Sequence, residues 1–155
     1  MSDASDPTAQ GSYQVRFDWG TAGAAAVSRD ADAVVWVDQL GESAGPTGSV
    51  AGLLERAAEL GDWALAQQEL AAGRFRIAIV AAGVTRDDGS LRFAVEDLLA
   101  AGAIIEAIAD RGIDHQSPEA AAAAAAYRGL RTATRHLIAA SVSARERRER
   151  ESTAG

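Results

Sequence analysis

The residues of this chain best suited to chemistry are carboxylates placed where strands should end. Asp38 follows the apolar run 33–37, and Asp87, Asp88, Glu96 and Asp97 cluster around one later loop and the helix after it. In open α/β sheets, ligands bind beyond the carboxyl ends of the strands. A carboxylate there suits a hard cation such as Mg²⁺, which takes one or two protein carboxylates together with substrate phosphate oxygens. The competing reading of Asp38 is an acid at the start of a loop, capping backbone amides. Glu96 and Asp97 are sequence neighbours about 100° apart on a helix, so they should not point the same way. Asp88-Gly89-Ser90 reads as turn chemistry with Asp88 or Ser90 as a helix N-cap, which makes Glu96 or Asp97 the better site candidate. Arg86, Arg92 and Arg145 offer guanidinium forks for phosphate or sulfonate, against surface solvation or pairing with nearby acids. His115 and His136 each stand alone, without a second ligand at metal-like spacing.

Composition narrows the chemistry further. The chain has no cysteine and no lysine, and its 15 basic residues are all arginine. Disulfides, thiolate metal sites, cysteine nucleophiles, Schiff bases and the Walker-type phosphate lysine are therefore excluded. Asparagine is absent too, which removes N-glycosylation. A net charge of −7 argues against non-specific nucleic-acid binding, which needs a dense basic surface. No apolar run approaches the roughly 20 residues that span a bilayer, and residues 1–11 lack a signal-peptide pattern. The expectation is a cytoplasmic protein that engages neither membrane nor nucleic acid.

The elements that must position these residues follow from periodicity. Residues 1–11 are polar and Ser/Gly/Pro-containing, an expected disordered tail; 12–150 read as one domain and 151–155 as a disordered end. Residues 13–19 alternate, as a half-buried strand does. The run 33–37 is continuously apolar, as a strand covered on both faces is, and 76–81 (RIAIVA) reads as another buried strand. Residues 53–70 carry helical spacing with Gly61 as a break into two helices. Residues 90–109 form an amphipathic helix with Leu91, Val95, Leu98, Gly102 and Ile105 on one stripe. Gly102 would cost about 1 kcal/mol against alanine in an exposed helix, so a close contact is expected there. Ser117-Pro118-Glu119 has the N-cap, first-turn proline and acid of a helix start, and the alanine run 120–126 propagates it. Residues 144–151, ARERRERE, read as a solvated helix end with a Glu146–Arg150 pair. Strands alternating with helices predict a layered α/β fold with a small, mainly parallel sheet.

The blocks FDWG at 17–20, WVDQL at 36–40, DDGSLRFAVEDLLAAGAII at 87–105, SPEAAAA from Ser117 and SARER at 143–147 resemble, in order, those of the 2-phosphosulfolactate phosphatase family. That resemblance implies an α/β fold and Mg²⁺-dependent hydrolysis of a small phosphorylated acid. Asp38, Glu96 and Asp97 would be catalytic, Asp38 and Glu96 would hold Mg²⁺, and Arg92, Ser143 and Arg145 would bind substrate. Against the family pattern the chain reads as shortened in its centre and after the SARER block. Val84 stands where the family carries Glu, and the turn at 41–48 is rewritten. Losing one preorganised charge-stabilising group commonly costs about 10²–10³ in rate. The sequence therefore predicts a phosphatase-like protein with weak or lost activity, serving as a binding or oligomeric module. The alternative is an active Mg²⁺-dependent phosphatase. A two-fold homodimer is expected, from the alanine face at 120–126 and the apolar surface a shorter chain would uncover.

Overall fold

A computed structural model describes residues 6–155; residues 1–5 of the expected tail lie outside the described residues. The strands are β1 (Val15–Trp19), β2 (Ala33–Val37), β3 (Val50–Gly52) and β4 (Ile77–Ala81), all parallel in the order β1-β4-β2-β3. A two-residue hairpin follows, β5 (Val84–Thr85) with β6 (Leu91–Arg92). The helices are α1 (Gly20–Val27), α2 (Ala57–Leu70), α3 (Val95–Asp110), α4 (Pro118–Leu130), α5 (Thr134–Ala139) and α6 (Val142–Thr153). The layered α/β architecture with a parallel sheet is the one the alternation predicts.

Strand periodicity sorts the side chains onto two faces. Val15, Phe17, Val35, Val37, Ile77 and Ile79 point to one face, under α2, α3 and α4. Trp36, Ala78 and Val80 point to the other, where α1 supplies Ala24 and Val27. β4 is buried at every position because it is central in the sheet and covered on both sides. α3 and α4 approach closely at Gly102, where a Cβ would sit 2.2 Å from the Ala123 carbonyl oxygen. This is the close contact that the glycine's position calls for.

β1 lies at the sheet edge, and its free backbone groups are paired by irregular chain. Gln10 uses its amide as a strand would: Nε2 donates to the Phe17 carbonyl at 2.7 Å, and Oε1 accepts from the Phe17 N–H at 3.0 Å. The His115 carbonyl accepts from the Val15 N–H, and the Ser117 N–H donates to the Val15 carbonyl. Such cover removes an aggregation-prone edge. Arg16, fully buried on β1, donates to the carbonyls of Gly11, Tyr13, Val27 and Arg29. Residues 6–11, expected to be a loose tail, thus hold a 3₁₀ turn at Pro7–Ala9 and are bonded to β1.

Several boundaries differ from the sequence reading. The helix expected from Ser90 starts at Val95, because Leu91 and Arg92 pair antiparallel with Thr85 and Val84. Gly61 does not break α2; it is buried, and the missing side chain leaves room for the Arg111 guanidinium. The 3₁₀ turn Leu54–Arg56 precedes α2, and β3 arises at 50–52, where periodicity marks no element. The alternating tail is helical through Thr153, into the end expected to be disordered, but Glu146 pairs with Arg92 instead of Arg150. Among the described residues no helix is long and apolar enough to cross a membrane.

Candidate functional site

Two helices leave adjacent strands toward opposite faces of the sheet. The chain after β1 turns directly into α1 on one face, and the chain after β4 passes through the hairpin into α3 on the other. That divergence opens a crevice at the carboxyl ends of the strands, where α/β proteins bind ligands. A pocket of about 460 Å³ occupies it. Its walls include Trp19 and the first turn of α1, Trp36 from β2 and Asp38 just after it, Val84 and Leu91 from the hairpin, and Glu96 and Asp97 from α3. The volume is in the range of small-molecule sites.

The three carboxylates expected at the site all line this pocket, although consecutive helical positions diverge. They do so in different states. Asp38 is committed to its own turn: Oδ1 accepts from the Gly41 N–H at 3.1 Å, and Oδ2 accepts from the Ser43 N–H and from Ser43 Oγ at 2.8 Å. The amide-capping reading of Asp38 describes its bonds. Asp97 is buried and bridges two strand ends, accepting from the Gln39 N–H at 2.9 Å and the Gly83 N–H at 3.0 Å. Burial, with Glu96 and Asp38 adding repulsion, pushes its pKa up to about 7 against the two amides that lower it. Asp97 therefore clamps β2 to the chain leaving β4.

Glu96 is different. It is 3% exposed, and its carboxylate has no hydrogen-bond partner among the described residues. Its oxygens are not among the enclosed polar atoms, so what exposure they keep is to the pocket, and their hydrogen bonds must be made there. The indole N–H of Trp36, another wall residue, also lacks an acceptor.

The expected substrate-binding groups are elsewhere. Arg92 is held by α6, its guanidinium 2.9 Å from Glu146 and 3.4 Å from the buried Ser143 Oγ. Arg145 is exposed on α6, beside Arg148 and Glu149. Neither arginine, nor Ser143, lines the pocket. Arg92 and Ser143 do meet each other, as part of the joint that seats α6. Arg86 donates to the Leu91 carbonyl and stabilises the hairpin, and Asp88 accepts from the Ser90 N–H and Oγ in its turn, not as a helix cap. His115 and His136 are exposed.

The donor set does not fit a resident Mg²⁺ held by Asp38 and Glu96. Both Asp38 oxygens already accept hydrogen bonds, and among the described residues no three Asp, Glu or His side chains gather to hold a metal. Glu96 alone would present uncommitted oxygens. Val84 sits in the pocket wall as an apolar group. The sequence reading missed the structural task of Asp97 and the part played by Trp19 and Trp36. The position of Asp97 beside Glu96 gave no signal of it, because its partners lie 58 and 14 residues away. Comparison with protein-family models, with curated proteins and with solved structures finds no match.

Proposed function

We propose that this chain is a small-ligand binding module on a 2-phosphosulfolactate phosphatase-like scaffold, with hydrolysis weak or lost. The observation that carries this reading is the contrast within one pocket. Glu96 is kept buried and unpartnered at the strand ends, while Asp38 is tied into its turn and Arg92 into a joint with α6. A hydrolytic site would need a cation or guanidinium aimed at the transferring phosphoryl group. The pocket lining holds no arginine or histidine.

A homodimer remains part of the proposal, with a changed basis. Ala120, Ala123 and Ala124 are buried against the chain's own core, so the inner alanine face is already covered. Among the exposed large apolar groups Leu70, Leu91, Phe93, Leu130 and Val142, the neighbouring Leu91 and Phe93, 42% and 59% exposed, lie together beside the pocket and are the ones a partner would cover.

The test is hydrolysis of 2-phosphosulfolactate and p-nitrophenyl phosphate by the full chain with excess Mg²⁺. Release of phosphate should stay at the buffer background and be unchanged in Glu96→Gln. Turnover at an ordinary enzyme rate, on the order of 1–10³ s⁻¹, abolished in Glu96→Gln, would establish the catalytic alternative.

A further inference from the structure

The sign of the pocket's charge is opposite to that expected for binding an acid. Its lining contributes Asp38, Glu42, Glu96 and Asp97 and no basic side chain, with Glu42 paired to Arg150 of α6 and the other three acids without an arginine partner among the described residues. An unassisted phosphate or sulfonate would enter against this field, whereas a cation would be concentrated by it. Two of the wall residues are Trp19 and Trp36, and tryptophan is the best of the aromatic side chains for holding a cation over its ring.

We infer that the pocket takes a small organic cation, a primary ammonium compound, with Glu96 as its counter-ion. The inference rests on the binding-module reading above and names the ligand class. An acidic cluster alone would not carry it, because solvated acids need no ligand. Glu96 differs from a surface acid: the residue is 97% removed from water, no protein donor meets its carboxylate, and the exposure it keeps opens into the pocket. An ammonium group has three donors and no acceptor, so it supplies what this carboxylate lacks. A dehydrated metal ion would require several free oxygens at once, and Glu96 is the one lining carboxylate whose two oxygens are both free. An organic cation needs one such contact and an apolar wall, which Trp19, Leu91 and Val84 provide. Leu91 packs over Gly20, 3.3 Å from where a Cβ would stand, and closes that side.

The test is calorimetric and tryptophan-fluorescence titration of the full chain with putrescine, with butan-1-ol, inorganic phosphate and Mg²⁺ titrated in parallel. Putrescine should bind saturably at one site and butan-1-ol should not bind. Glu96→Gln should weaken putrescine by about tenfold or more, the equivalent of one good charge contact. Trp19→Leu, which leaves every carboxylate in place, should weaken it as well, and the surface change Glu119→Gln should leave it unaltered. Equal binding by Glu96→Gln and the parent would overturn the inference, as would putrescine that fails to saturate. Saturable phosphate binding without putrescine binding would overturn the ammonium assignment while leaving the pocket a ligand site. Phosphate release is measured separately, so failure of the hydrolysis prediction is read independently.

Discussion

Replacing Asp97 by alanine is expected to remove about 2–4 kcal/mol of stability near pH 5, measured by urea denaturation. The Asp97 carboxyl satisfies two backbone donors, Gln39 N–H and Gly83 N–H, at the ends of β2 and β4. Each donor left unpaired in a partly buried position costs about 1–3 kcal/mol. Relief from burying a carboxyl offsets part of that sum. The effect depends on pH in a fixed direction. The folded pKa, near 7, lies above the ordinary value of 3.8, so the native state holds its proton where the unfolded chain has released it. The stability this group contributes is fully present below about pH 4 and is lost as pH rises to about 7. The gap between parent and Asp97→Ala should narrow through that window. A gap that widens with pH would mean that Asp97 is ionised throughout and held by its amides alone.

Gly102→Ala should be the most disruptive change of a single hydrogen for a methyl group. Alanine returns about 1 kcal/mol of helix propensity, but its Cβ would stand 2.2 Å from the Ala123 carbonyl oxygen and 2.8 Å from Tyr127 Cβ. Overpacking costs about 1–3 kcal/mol when side chains can yield, and sometimes more. Here the obstacle is helix backbone, so α3 and α4 must separate along their contact. A net loss of about 2–3 kcal/mol is expected, with a lower thermal midpoint. An alanine variant as stable as the parent would show that the two helices are not in this contact.

The parts of the fold that were legible are those in which local pattern and final burial agree. AVVWV at 33–37 and IAIVA at 77–81 are apolar throughout because both faces of each strand are covered. Ser117 caps α4 as its sequence position implies, accepting from the Ala120 N–H at 3.0 Å. β3 was not legible. It has three residues in turn-rich surroundings and exists through its pairing with β2, a partner that periodicity does not see. The start of α3 was misread because Leu91 fits the helical stripe, while the positive φ values at Gly83 and Gly89 bend the chain into a hairpin first. The candidate acids were found, since strand-end position is visible in sequence. Their separation into bonded and unbonded was not, because it depends on amides that folding brings from Gln39, Gly41, Ser43 and Gly83.

Whether Glu96 is held for a ligand or for the fold has a direct test in the stability of Glu96→Gln without ligand. A carboxylate in the first turn of α3 gains about 0.3–1 kcal/mol from the helix end, and the variant forfeits that. Against that, Glu96 repels Asp97, and its carboxylate has no protein partner to lose. The two effects are of similar size and nearly cancel. Glu96→Gln should therefore stay within about 0.5 kcal/mol of the parent in urea denaturation at pH 7, as substitutions without a structural partner do. A loss of about 1 kcal/mol or more would contradict the ligand role, because it would show that Glu96 has a structural partner and that the pocket is part of the framework.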